Sequence, residues 1–293
     1  MSETSDPGPV SEPAPAKINP VLRVLGKRDD GYHEIESLIQ PITLADGVQA
    51  ASAPAGLELT VAGERAEDVP RGEDNVVVRA ARALAEASGV RQGARLLLAK
   101  RIFVAAGLGG GSADAAATLR ALDRLWGLRL GTEGLVPVAE EVGSDVPALL
   151  PGGPVLARGR GDVVEPVEVP PSWWVLVPFR FGIPAMDAYR WWDEDGAPST
   201  AELSPLLDAL RAGDIGEVGR RLGNDLQPGV IRRHPTVGEA IEGLLDAGAL
   251  GSVVCGSGPT VAGLVRDGFH AEEVASKVGG YAVGSMGRSV PAG

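Results

Sequence analysis

The chain has 293 residues, 44% of them hydrophobic, enough for a substantial core in two ordinary domains or one large one. A formal charge of −12, from 27 basic and 39 acidic side chains, argues against nonspecific binding to nucleic acid or to anionic membranes. One cysteine, Cys255, excludes an intrachain disulfide, and no apolar run approaches the ~20 residues of a membrane span, so a cytoplasmic location is expected.

The first residues carry acids and prolines where a secretory signal needs basic and then apolar ones, and residues 1–13 read as a disordered tail. Residues 14–50 read as strands, through Ile18, Val21, Leu22, Val24 and Leu25 and then Ile35, Leu38 and Ile39, with Asp29-Asp30-Gly31 as a hairpin-type turn. Leu57, Leu59 and Val61 alternate as a further strand does. Asp74 or Asn75 can cap a helix through Val76, Val77, Ala80, Leu84 and Ala87 that Gly89 stops. Residues 95–104 read as a strand, and residues 112–126 as a helix with Leu119, Leu122, Leu125 and Trp126 on its buried stripe. Ser112 is the expected N-cap of that helix, with Asp114 complementing the dipole from the first turn. A short helix over 135–142 ends at Gly143, and residues 163–177 read as a strand pair and a domain crossing. Residues 203–222 and 237–245 are helical, the latter stopped by Gly248, and residues 252–255 and 260–265 form short strands around Gly256-Ser-Gly-Pro259. Strands and helices come in runs rather than in strict alternation, which favours an α+β fold.

Four segments carry chemistry. Between the strand and the helix, Gly107, Gly109, Gly110 and Gly111 let the backbone bring its N–H groups close to an anion, with the helix dipole behind them. That is a phosphate cradle, although without the Gly-Lys-Ser/Thr of a Walker loop, and the bland alternative is a tight strand-to-helix connection. Lys17 and Asn19 share one face of a strand by period-two alternation, unless Lys17 is merely a solvated charge. Asp30-Gly-Tyr-His33 is dense in groups that stack and hydrogen-bond, unless Tyr32 only covers the core beside a surface turn. In Gly143-Ser-Asp-Val-Pro147, Asp145 either caps a helix or presents a carboxylate in a cleft.

Together these segments resemble the GHMP kinase superfamily, over nearly the whole chain from about residue 14 to about residue 265. The most specific part is Pro15-Ala-Lys-Ile-Asn19 followed by Gly26-Lys-Arg-Asp-Asp-Gly-Tyr-His-Glu34. This part is closest to the branch that phosphorylates the 2-hydroxyl of 4-diphosphocytidyl-2-C-methyl-D-erythritol on the non-mevalonate route to isoprenoid precursors. Asn75 with residues 76–81, Asn224-Asp-Leu-Gln-Pro228 and Gly256-Ser-Gly-Pro259 resemble further family segments. Phe103 stands where the family usually has Pro, Ala105 and Ala106 where it has more glycine, and Ser37 where Thr is common.

The resemblance implies a two-domain α+β fold with its active site in the cleft, here an ATP-binding domain over 14–165 and a C-terminal domain over 166–286. ATP would lie with its base near Asn75 and its phosphates along Phe103, Val104, Ala105, Ala106, Gly107, Leu108, Gly109, Gly110, Gly111, Ser112 and Ala113. Mg²⁺ would sit between the phosphates with Ser112 as its protein contact. Asp145 would accept the proton of the alcohol while Lys17 orients the hydroxyl and offsets developing charge. Asn19, Tyr32, His33, Tyr189, Gly256, Ser257 and Gly258 would hold the second substrate, with cytosine between Tyr32 and Tyr189 and its polar edge on His33. The alternative role of Tyr189 is core packing beside Trp191 and Trp192. A small-molecule kinase with no nucleic-acid or membrane partner, monomeric or weakly dimeric, is the expectation; a homoserine-type kinase and a nonenzymatic binding protein of the same fold are the rivals.

Overall fold

The computed structural model describes residues 8–287. The chain opens with two long strands, β1 (Val10–Lys27) and β2 (His33–Ala53), paired antiparallel across a turn closed by hydrogen bonds from Arg28 N to Tyr32 O and from Gly31 N to Arg28 O. Residues 10–13, expected to lie in a disordered tail, are instead the start of β1, running from the pair Val10–Ala50 to the pair Pro13–Gly47; residues 1–7 of that segment lie outside the described residues. The β1–β2 register slips between Pro15 and Lys17 and again between Ile18 and Val21. Such irregularities re-aim side chains out of the pleat, and here they flank Lys17 and Asn19.

There follow β3 (Leu57–Ala62), α1 (Val76–Ser88), β4 (Gly93–Ala99), α2 (Gly110–Leu125), α3 (Gly131–Val142), α4 (Val146–Leu149), β5 (Val155–Gly159) and β6 (Val163–Pro166). The second half holds β7 (Trp173–Val177), α5 (Ala185–Asp195), α6 (Ser204–Ala212), α7 (Ile215–Arg221), β8 (Gly223–Asn224), α8 (Gln227–Arg233), α9 (Pro235–Asp246), β9 (Gly251–Val254), β10 (Val261–Val265), α10 (Gly268–Val278) and β11 (Tyr281–Gly284). Among the described residues there are two sheets. One has the order β3-β4-β2-β1-β8, with β5 and β6 attached beside β2; the other has the order β11-β7-β10-β9.

Local chemistry sets many of these boundaries. Asn75 accepts a hydrogen bond from Val77 N and Gly89 adopts φ 69°, so α1 is capped at both ends as its sequence requires. The helical run expected over 203–222 is two helices, because Gly213 turns left-handed (φ 69°) and Asp214 starts α7 by capping Glu217 N. The strand expected over 95–104 ends at Ala99. The segment 163–177 is no strand pair: β6 joins β5 in the first sheet, while β7 lies in the second.

Leu119, Leu122 and Leu125 of α2 pack with Leu84 of α1 and with Leu96 and Leu98 of β4, forming the core of the first half. Each such burial stabilises by roughly 1.5–3 kcal/mol. The two sheets meet over a second core that includes Ile18, Leu38, Trp174, Leu176 and Leu264. Buried polar groups lace this seam: Ser285 Oγ accepts from Gln40 Nε2 and from Ser172 N, both at 2.8 Å, and the Trp174 indole donates to Ser172 Oγ.

Candidate active site

A cavity of about 1080 Å³ lies between the two halves. Single-ligand pockets usually occupy about 300–1,000 Å³, so this one can take two substrates side by side. The wall is assembled from β1, the β1–β2 turn, the glycine loop, Ser144 and Asp145, Arg160, the start of α5, and Gly256 and Ser257.

The glycine loop is held from three sides. Leu108 O accepts from Lys17 N (2.9 Å), Ala106 O from Thr260 N (3.3 Å) and Ala105 O from Ile183 N (3.2 Å). Gly107 (φ 77°) lies so close to the 255–258 turn that a Cβ there would stand 1.9 Å from Cys255 O. The helix begins earlier than its sequence suggests: Gly109 (φ 67°) is the N-cap, and Ser112 lies inside the first turn without a capping bond. The first helical bond runs from Ala113 N to Gly109 O. The N–H groups of Gly110, Gly111 and Ser112 therefore have no acceptor within α2, and all three residues line the cavity. Ala113 does not; it is buried in the core behind them.

Two residues that stand where the family differs have structural roles. Phe103 packs edge-on to Tyr281 (5.4 Å) and under the Arg65 guanidinium (4.3 Å), so its bulk is absorbed at the rim of the loop. Ala105 sits at φ 52°, in the left-handed region that favours glycine. Val104 and Ala106 complete the loop wall.

Asp114 was expected in the first turn as a dipole partner. It is in the second turn, buried, and accepts from Lys100 Nζ at 2.6 Å. Lys100 also donates to Asp46, whose other oxygen accepts from Arg101 N and Ile102 N. The pairing joins residues up to 68 positions apart, from Asp46 to Asp114, and only the charged residue types hinted at it.

Lys17 is not a solvated charge. It is buried, and its Nζ donates to Asn19 Oδ1 (2.6 Å) and Gly107 O (2.8 Å). Burial lowers the pKa of its ammonium below the usual lysine range, while the negative charge of Asp145 opposes that shift. Asn19 Nδ2 donates onward to Ser37 Oγ, which donates to Val21 O. Asp145 occupies the N-cap position of α4, yet its side chain makes no capping bond and lines the cavity. Of the two readings of this residue, the geometry selects the carboxylate facing a cleft.

Opposite Lys17, a Cβ on Gly256 (φ 52°) would stand 2.7 Å from Lys17 Nζ, so only glycine lets this turn close on the lysine. Asn224 holds the turn by donating to Val254 O and Gly256 O. Ser257 lines the cavity; Gly258 does not, and packs toward Val254, Val230 and Ile183. Asn75 reaches the cavity wall, with both ends of its amide engaged: Nδ2 donates to Pro70 O and Oδ1 accepts from Val77 N.

At the far end, His33 lies against Tyr189, and its Nε2 meets Asp193 Oδ1 at 2.7 Å. Asp193 Oδ2 accepts from Lys27. Tyr32 is exposed, with Arg160 over its ring at 5.0 Å. Tyr189 lines the cavity and also packs on the cluster that includes Trp191 and Trp192. Asp193 had no signal in the sequence, since 160 residues separate it from His33.

Residues 75–153 match the family described as GHMP kinases N terminal domain, and residues 206–283 match GHMP kinases C terminal. The 4-diphosphocytidyl-2-C-methyl-D-erythritol kinase of Pelotomaculum thermopropionicum is 46% identical over 266 residues, spanning 90% of this chain and 92% of that protein. Its counterpart in Caldanaerobacter subterraneus subsp. tengcongensis is 40% identical over 252 residues, 86% of each chain. A crystal structure of 4-(cytidine 5'-diphospho)-2C-methyl-D-erythritol kinase superposes with a TM-score of 0.82 at 34% identity, over 94% of this chain and 99% of that one.

Proposed function

The chain belongs to the GHMP kinases, and from that premise we propose that it transfers the γ-phosphoryl group of ATP to the 2-hydroxyl of 4-diphosphocytidyl-2-C-methyl-D-erythritol. The carrying observation is one cavity that joins a phosphate-type helix N-terminus, a lysine and a free carboxylate, and an aromatic and imidazole wall. The relatives named for this substrate, at 40–46% identity, support the choice of alcohol.

The unbonded N–H groups of Gly110, Gly111 and Ser112 receive the nucleotide phosphates, aided by the positive end of α2. A tertiary alcohol is a poor nucleophile. Asp145 accepts its proton as the oxygen attacks the γ-phosphorus, and ADP leaves. Lys17, fixed by Asn19 and Gly107, orients the hydroxyl and offsets charge on the transferring group. Because the transition state is largely dissociative, the placement of these groups matters more than the basicity of Asp145.

Ser112, on the cavity wall in the first turn of α2, supplies a hard oxygen beside the phosphates, which suits a Mg²⁺ ion that keeps most of its waters. When bound, Mg²⁺ neutralises charge on the transferring phosphates. We place the domain boundary at residue 166, where the chain leaves β6 for the second sheet. On this reading the enzyme works in the cytoplasm as a monomer or weak homodimer.

An ADP-coupled assay tests the proposal with the diphosphocytidyl alcohol, homoserine and mevalonate offered separately. Turnover is expected with the first alone. Comparable turnover with homoserine or mevalonate would overturn the substrate assignment.

A further inference from the structure

We propose that Lys100, Asp46 and Asp114 form a positioning clamp for the nucleotide, setting the height and rotation of the first turn of α2. The inference rests on the nucleotide reading of the glycine loop.

Three elements converge on one ammonium. Lys100 follows β4 directly and is almost fully buried. Its Nζ donates to Asp46 on β2 and to Asp114 on α2, the latter at 2.6 Å. The second oxygen of Asp46 takes the N–H groups of Arg101 (2.5 Å) and Ile102 (2.9 Å), so the same carboxylate also fixes where the chain leaves β4 for the glycine loop. Loop and helix are thus tied to one strand through a single cluster.

The cluster lies directly beneath the phosphate-receiving turn. A Cβ on Gly110 would stand 3.2 Å from Lys100 Nζ and 2.9 Å from Ile102 Cγ2. Gly110 is the first helical residue, and its N–H has no acceptor within α2. A small shift of the ammonium therefore moves the donors that face the anion.

A lone cation at a helix N-terminus opposes the dipole, and a lone buried ammonium is costly. Two carboxyl groups answer both problems. Both Lys100 and Asp114 also reach the cavity wall, and Asp114 Oδ1 has no hydrogen-bond partner among the described residues. None of the three residues belongs to the wall formed by the β1–β2 turn and α5, so their effect is confined to the nucleotide.

The test compares Asp114→Ala, Asp114→Asn and the apolar pair Lys100→Met with Asp114→Leu. Affinity for Mg²⁺–β,γ-imido-ATP is measured by calorimetry, and KM for ATP and for the diphosphocytidyl alcohol by kinetics. Replacing a whole buried ionic cluster by uncharged groups of similar volume is often neutral for stability, so the pair, made with Asp46→Asn to leave no buried charge behind, keeps the test decisive if Asp114→Ala does not fold. A misplaced loop is expected to weaken nucleotide binding by about 10-fold or more in Asp114→Ala and in the pair, with KM for the alcohol unchanged. Asp114→Asn, which retains an acceptor for Lys100, should stay within about 3-fold of the parent. Parent-like nucleotide affinity in the folded pair overturns the clamp, as does an equal loss for both substrates. Failure of the parent chain itself to bind the ATP analogue would instead overturn the nucleotide reading.

Discussion

His33 rests on Tyr189 with ring centroids 4.8 Å apart and planes inclined by 23°. The turn-facing side of Tyr189 is thus covered by imidazole, and Trp192 meets the same imidazole edge-on at 5.3 Å. A base entering here meets a preassembled block in which Tyr189 backs His33, with Tyr32 on the exposed side under Arg160.

Tyr189→Ala removes the support of His33 together with an aromatic face. KM for the diphosphocytidyl alcohol should rise about 5- to 150-fold, the equivalent of roughly 1–3 kcal/mol of stacking. Tyr189→Phe should behave as the parent, because burial and the charge of Asp145 push the hydroxyl's pKa further above neutrality and no ionised form is lost. Steady-state kinetics at saturating ATP checks both variants, and KM for ATP should not move.

Asp145→Asn should lower kcat at least ~100-fold and leave the melting temperature unchanged, since the side chain makes no capping bond. Lys17→Ala should lose a similar factor in turnover but also unfold more easily. It strips the donor from Asn19 Oδ1 and Gly107 O in a buried setting, worth about 1–3 kcal/mol. Turnover and thermal melts on the same preparations separate the two effects.

The glycine loop is best tested at Gly111. A Cβ there meets only Val76 Cγ1 at 4.0 Å, whereas at Gly110 it would strike Ile102 and approach Lys100. Gly111→Val should therefore melt like the parent and bind the ATP analogue at least about 10-fold more weakly, because the added branch occupies the space of the phosphate. Calorimetric titration reads this directly; unchanged affinity would reduce the loop to a tight turn.

Local signals explain what could be read from the amino-acid order. Asn75 and Gly89 bracket α1 because caps act within a few residues, and Asp29-Asp30-Gly31 turns the chain where it should. The glycine cluster announced a sharp strand-to-helix turn for the same reason. What stayed hidden depends on distance along the chain. Ser112 looks like an N-cap, yet Gly109 starts the helix because the loop is pinned by Lys17, Thr260 and Ile183 from remote segments. A solvated Lys17 stayed open as the alternative because nothing nearby in sequence shows that Gly107 and Gly256 close over it. The pair Lys100–Asp46 exists only once β4 lies beside β2, and His33–Asp193 only once α5 packs against the start of β2.

Asp114 makes stability depend on pH in an uncommon direction. Its carboxyl is raised from 3.8 to about 8 in the folded chain, so between about pH 4 and about pH 8 the native state holds a proton that the unfolded chain has released. Its contribution to stability is full below that window, is lost as pH rises through it, and is gone above it. Thermal melts at a series of pH values should show the parent losing more stability across the window than Asp114→Asn; parallel curves would contradict the protonated carboxyl.

β8 ties the second half of the chain to the strand that carries Lys17. Gly223 and Asn224 pair in parallel with Val21 and Leu22, Asp225 N donates to Leu22 O, and Asp225 Oδ2 accepts from Val24 N. A jaw-like swing of one half away from the other would tear this stitching within five residues of Asn19. At the rim the two halves are held more lightly, by Asp193, which meets His33 and the exposed Lys27; the Lys27 pair is worth no more than about 1 kcal/mol. Parting that rim disturbs less of the structure than parting the β1–β8 stitching beside Asn19.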